Sequence, residues 1–146
     1  MAKSNGIIKF FFNDVQFTFR DRKKIKKFIK YIFKLEKKTI GSLIYIFSTD
    51  KHLLSLNKEY LKHNYKTDIL TFPIIKDGLI QAEIYISIER VKENAGFFNS
   101  SFTDELVRVI FHGSLHLCGY KDKNQKQQSA MRQKEDHYLK LYQSFT

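Results

Sequence analysis

The sequence predicts an α+β fold: one domain over residues 1–146, with a roughly four-stranded mixed sheet, an antiparallel hairpin within it, and about five helices packed around it. Three observations carry this. Ile80, Ala82, Ile84, Ile86 and Ile88 alternate strictly after an Asp77-Gly78 turn, and Ile69 to Ile75 precedes it as a second strand, the pattern of a hairpin. Ile25, Phe28, Ile29, Ile32 and Phe33 fall instead on one stripe at helical spacing. Strand and helix patterns are interspersed along 146 residues without repeats, low-complexity tracts or linkers, a length that suits one core.

The remaining elements follow in order. Ile7 to Asn13 reads as a strand because Ile8, Phe10 and Phe12 share a side and phenylalanine suits a half-buried pleated surface. From Arg20 to Lys38, ten residues are basic and two acidic, so the helix there has one core face and a strongly positive outer one. Gly41 is expected to break the chain before a short strand, Leu43 to Phe47. Asp50 is expected to N-cap a helix carrying Leu53, Leu54, Leu56, Tyr60 and Leu61. Beyond the polar segment Lys62 to Thr67 and the hairpin, Ser87 caps a short helix ending near Gly96. Thr103 is expected to cap the next, with Asp104 and Glu105 in a first turn that favours carboxylates. Gly119 stops that helix in a left-handed conformation, and a last, mostly polar helix runs from Lys126 to Leu141.

Composition excludes several classes. With 42% apolar and 28% charged residues and one proline, the chain is too hydrophobic to be disordered, and no apolar run approaches the roughly 18–20 residues of a membrane helix. IIKFFF contains Lys9 and is followed by Asn13 and Asp14, so it is read as a strand and not a signal peptide. A cytoplasmic protein with no membrane partner and no organic cofactor is expected. The single Cys118 fits a reducing compartment and reads as a small apolar residue near a helix end. Lys and Arg total 26 against 15 Asp and Glu, a net charge of +11. That points to a polyanionic partner, with nucleic acid, an anionic membrane surface and a merely charged surface as the three readings.

The chemistry concentrates in HGSLHLCGYKD, His112 to Asp122. On a helix, His112 and His116 stand one turn apart on one face, about 40° around the axis. Gly119 then turns the chain so that Asp122 swings back toward the same point. Two imidazoles and one carboxylate make a three-ligand set for a divalent ion, zinc first, with the fourth position open to water as in catalytic zinc sites. Such a water ionises near neutral pH, so the implied chemistry is hydrolysis by a metal-bound water, with no side chain assigned to catalysis. A histidine pair satisfied by hydrogen bonds alone is the plain alternative. The metalloprotease pattern His-Glu-x-x-His needs a glutamate where this chain has Gly113, which weakens a peptidase reading.

His112 to Tyr120 resembles the H-G-x-L-H-L-x-G-Y-D-H pattern of the YbeY family, metal-dependent endoribonucleases that mature bacterial ribosomal RNA. Two further blocks agree. Leu56-Asn57-Lys58-Glu59-Tyr60 with Thr67-Asp68-Ile69-Leu70-Thr71-Phe72-Pro73 is similar to L-N-x-x-Y-R-x-x-D-x-P-T-D-V-L-S-F-P, and Ala82 to Ser87 resembles G-D-I-x-I-S. Met131 and Glu135 sit where the family's last helix has such residues. The resemblance implies cleavage of single-stranded ribosomal RNA, processing of the small-subunit RNA 3′ end, ribosome quality control, and the small subunit or assembly factors as partners.

The departures are specific. Asp122 stands where the family has its third histidine, and Lys121 where it has aspartate. A carboxylate ligand makes a bound metal a weaker Lewis acid and suits a harder ion such as manganese. The family's arginine after the tyrosine falls at Leu61, and its proline at Lys66. Lys62, His63, Lys66 or Lys121 are the candidates to supply that charge to RNA, against the plain reading of exposed residues. Tyr60, Phe72 and Tyr85 are of the type that stacks on bases and equally of the type that fills a core. Glu83 and Asp68 are each either a partner behind a metal-binding histidine or an ordinary strand residue. A ribosome-assembly or RNA-binding protein with a structural metal is the second functional reading, and a metallopeptidase the third.

Overall fold

The computed structural model describes residues 6–63 and 67–146. In chain order it contains β1 (Ile7–Phe12), α1 (Arg22–Leu35), β2 (Thr39–Ser48), α2 (Asp50–Tyr60), β3 (Ile69–Lys76), β4 (Leu79–Ser87), α3 (Ile88–Phe97), α4 (Phe102–Leu117) and α5 (Gln125–Gln143). The sheet has the order β1-β2-β4-β3. β1 and β4 run parallel to β2, while β3 pairs antiparallel with β4 through the Asp77-Gly78 turn. The expected mixed four-stranded sheet and hairpin are both present.

One sheet face carries Leu43, Tyr45, Phe47, Ile80, Ala82, Ile84 and Ile86 into a core shared with α1 and α4. The α1 stripe Ile25, Phe28, Ile29, Ile32 and Phe33 is fully buried there, each side chain contributing about 2 kcal/mol. On the opposite face, Leu56 and Tyr60 of α2 line a cavity together with Phe72, Glu83 and Tyr85.

Three local expectations are corrected. Gly41 does not break the chain; it lies inside β2 at a register irregularity, where a Cβ would stand 3.1 Å from Gln81 Cγ. The caps of α2 and α4 fall one and two residues earlier than expected. Thr49 accepts from the His52 amide and Ser101 from the Asp104 amide, which frees Asp50 to bind Ser87 Oγ and the Arg90 guanidinium. Threonine and serine hydroxyls followed by a first-turn acid satisfy the free amides and the dipole together.

Gly113 is a contact glycine. A Cβ there would stand 2.7 Å from Ile69 Cδ1, 3.7 Å from Ile84 Cγ2 and 3.9 Å from Thr71 Cγ2, so its absence lets α4 lie close on the hairpin. Ser114 is buried on the same helix, its Oγ donating to the Ile110 carbonyl and lying 3.3 Å from the Tyr45 hydroxyl.

Candidate metal centre

α4 ends in a Schellman turn that the sequence dictates. Gly119 takes φ 107°, its amide bonds the His116 carbonyl, and the Tyr120 amide bonds the Leu115 carbonyl, each at 3.0 Å. This reversal brings Asp122 back over the last turn of the helix.

Asp122 Oδ2 lies 3.2 Å from His112 Nε2 and 3.3 Å from His116 Nε2, with the two rings 4.6 Å apart, centroid to centroid. Tetrahedral ligands about 2.0–2.1 Å from one zinc ion stand about 3.3 Å apart. The three side chains therefore fit one divalent ion, and they are the group found to do so among the described residues. His116 sits in the last turn of α4, where the negative end of the helix dipole favours a cation.

His112 is held from behind. Its Nδ1 lies 2.6 Å from Glu135 Oε2, and Arg108 holds that carboxylate through Oε1 at 2.8 Å while bonding Asp136 at 2.7 Å. A carboxylate on Nδ1 fixes the ring so that Nε2 faces the ion. Burial opposes the charged imidazolium of His112, but Glu135, Asp68 and Asp122 outweigh it, so its pKa lies above the ordinary histidine value. Glu135→Gln is expected to weaken metal affinity about 10–100-fold with the fold intact, read by metal titration of the purified protein.

Glu135 was legible only as a family position. Its signal is a carboxylate on the buried α5 stripe Met131, Glu135 and Tyr138, where an unpaired acid is not tolerated. Asp68 also comes to the site, lining both cavities that contain His112 and Asp122; burial pushes its carboxyl up against the pull of His112. Glu83 does not come to the site: it is exposed on the opposite sheet face, accepting from the Tyr85 hydroxyl at 2.6 Å.

The loop that carries Asp122 is anchored by Tyr120, whose hydroxyl donates to Glu36 Oε1 at 2.8 Å. Tyr138 and Lys134 bind the other oxygen. Burial raises the Glu36 pKa, but these partners outweigh it and hold the carboxyl below its usual value. A depressed carboxyl stabilises the fold above its unfolded pKa and loses that contribution as pH falls through the folded value. Glu36→Gln is accordingly expected to be less stable than the parent at neutral pH, with the gap closing in acid below about pH 4, as read by thermal melts across pH.

Of the candidate RNA contacts, His63 lines a cavity of about 390 Å³ together with Leu61, Asn57, Asp68 and all three ligands. Lys62 and Lys121 are exposed and line neither cavity at the ligands. Lys66 lies outside the described residues. Tyr60, Phe72 and Tyr85 form an edge-to-face row with centroids 6.0 and 5.8 Å apart, lining a separate cavity of about 630 Å³. Cys118 is free and buried, and burial pushes its thiol up to about 12, which makes it an inert packing residue.

The family model of endoribonuclease YbeY matches residues 9–143. The chain belongs to the endoribonuclease YbeY family. That places it among hydrolases that cleave RNA phosphodiester bonds. An endoribonuclease YbeY of Cytophaga hutchinsonii is 47% identical over 135 residues, covering 92% of this chain and 94% of the relative. One from Karelsulcia muelleri is 44% identical over 113 residues, covering 77% and 80%. A Thermotoga maritima protein solved in solution superposes with a TM-score of 0.63 at 29% identity, covering 93% of this chain and 89% of that one. Among the described residues no helix is long and apolar enough to cross a membrane.

Proposed function

We propose that this YbeY-family protein hydrolyses single-stranded ribosomal RNA at a divalent ion held by His112, His116 and Asp122, with zinc the first choice of metal. The observation that carries the reading is the approach of Asp122 Oδ2 to both Nε2 atoms with Glu135 locking His112 behind them. A divalent ion held by these three side chains would supply a Lewis acid for the phosphoryl group and an acidified water near neutral pH.

The chain's own residues do the rest. His112 and His116 present Nε2 lone pairs, Glu135 keeps the His112 proton on Nδ1, and Asp122 supplies the charge that tilts preference toward harder ions. Two cavities share His112 and Asp122 in their linings, so a strand occupying both would set one phosphate at the ligands. His63 lines one of them and is the candidate to replace the charge lost at Leu61; Lys62, Lys66 and Lys121 complete the candidate set. Lys23, Lys27, Lys30 and Lys34 are exposed on α1 in a row that suits RNA backbone and makes binding salt-sensitive. Small-subunit RNA 3′ maturation, ribosome quality control, contact with the small subunit or its assembly factors, and a cytoplasmic location complete the proposal.

The second reading, an RNA-binding assembly protein with a structural metal, is favoured by one observation: Leu61, which cannot stabilise a phosphate, lines the cavity at the ligands. Leu61→Arg separates the two. A large rise in cleavage at unchanged RNA affinity supports the hydrolase, and a changed affinity without cleavage supports the binder. Cleavage of single-stranded but not duplex RNA by metal-loaded protein is the expected result for the parent chain.

A further inference from the structure

Beside the ligands, a cavity of about 310 Å³ extends between α3, α4 and α5, with His112 and Asp122 in one wall. Three of its features are unused by the metal centre. Glu105 lines it and is only 7% exposed, yet no hydrogen bond or ion pair reaches its carboxylate among the described residues; its neighbour Arg108 directs its N–H groups to Glu135 and Asp136. Among the described residues no buried side-chain oxygen lacks a partner, so the Glu105 oxygens reach the open cavity and stand ready to accept from what enters it. Phe98 stands at the mouth, 54% exposed beside Phe97 at 81%, with the Arg132 guanidinium carbon 5.8 Å from its ring centroid. Asp68 adds a further carboxylate to the lining.

These features select the occupant. Arg108 is committed to Glu135 and Asp136 and Arg132 lies against Phe98, so the carboxylates left to an occupant are Glu105 and Asp68, which favour N–H donors, and the exposed ring at the mouth suits a planar group. A nucleobase attached to a strand whose phosphate lies at the ligands meets both conditions. Guanine places two adjacent donors, N1–H and N2–H, on its Watson–Crick edge, which match the two oxygens of one carboxylate.

We propose that this cavity is a nucleobase subsite that takes a guanine next to the cleaved bond, Glu105 accepting from its Watson–Crick edge and Phe98 lying against its ring. The inference rests on RNA hydrolysis at the neighbouring ligands and adds sequence preference to it.

The test uses uridine strands carrying one guanosine, or in its place inosine, which lacks the 2-amino group. Metal-loaded parent protein is expected to cut next to the guanosine, with inosine lowering kcat/KM at least about tenfold, the loss of one hydrogen bond to a charged acceptor. In Glu105→Gln the guanosine-to-inosine ratio falls to about one while bound metal per chain is unchanged. Phe98→Ala, at an exposed position, raises KM for the guanosine strand about tenfold. Equal cutting of guanosine, inosine and all-uridine strands by the parent overturns the proposal, as does a ratio that survives in Glu105→Gln. If the parent cuts none of them, the hydrolase reading fails, and the subsite is judged by strand binding alone: tighter binding of guanosine than inosine supports it, and equal binding overturns it.

Discussion

His116→Ala is expected to leave a folded protein that binds no stoichiometric metal and cleaves RNA at least about a thousandfold more slowly, the several kcal/mol that a catalytic metal supplies. Removing one of three ligands leaves His112 and Asp122, too few to retain an ion against water. The fold survives because the His116 side chain is 27% exposed and α4 is anchored by its other face, through Leu106, Ile110, Phe111 and Leu115. Elemental analysis, a thermal melt and a cleavage assay on one preparation read all three outcomes.

Gly113→Glu, which rebuilds the metalloprotease pattern His-Glu-x-x-His, is expected to create no peptidase and to destabilise the fold by at least about 3 kcal/mol. The new side chain would start 2.7 Å from Ile69 Cδ1 and near Ile84 Cγ2 and Thr71 Cγ2, forcing a carboxylate in among apolar atoms between helix and sheet. Gly113→Ala is expected to cost only about 1 kcal/mol, because the one close atom is the end of a side chain that can rotate. Chemical denaturation of both variants measures the difference. Equal stability of the two would contradict the packing role of Gly113.

The absent glutamate thus has a physical cause that the sequence did not contain. Spacing alone placed His112, His116 and Asp122 together, because helical periodicity and a glycine terminator are local rules. It did not reveal that position 113 faces the sheet, since that depends on how α4 is rotated against β3 and β4. The hairpin and the α1 stripe were legible for the same local reason. Gly41 was misread because a glycine inside a strand and one that ends a strand look alike until the neighbouring strand brings Gln81 against it. Glu135 was invisible as a partner of His112 because 23 residues separate them, and only the packing of α5 on α4 joins them. Glu83 was left open because alternation places it off the core without saying what covers the other face.

The most direct measurement of the proposed centre is RNA cleavage by one protein preparation, made metal-free by chelation and then restored by stepwise addition of zinc or manganese, with bound metal counted at each step. Activity rising in proportion to occupancy and saturating at one ion per chain is the expected result. Cleavage at the full rate by the metal-free protein would contradict it.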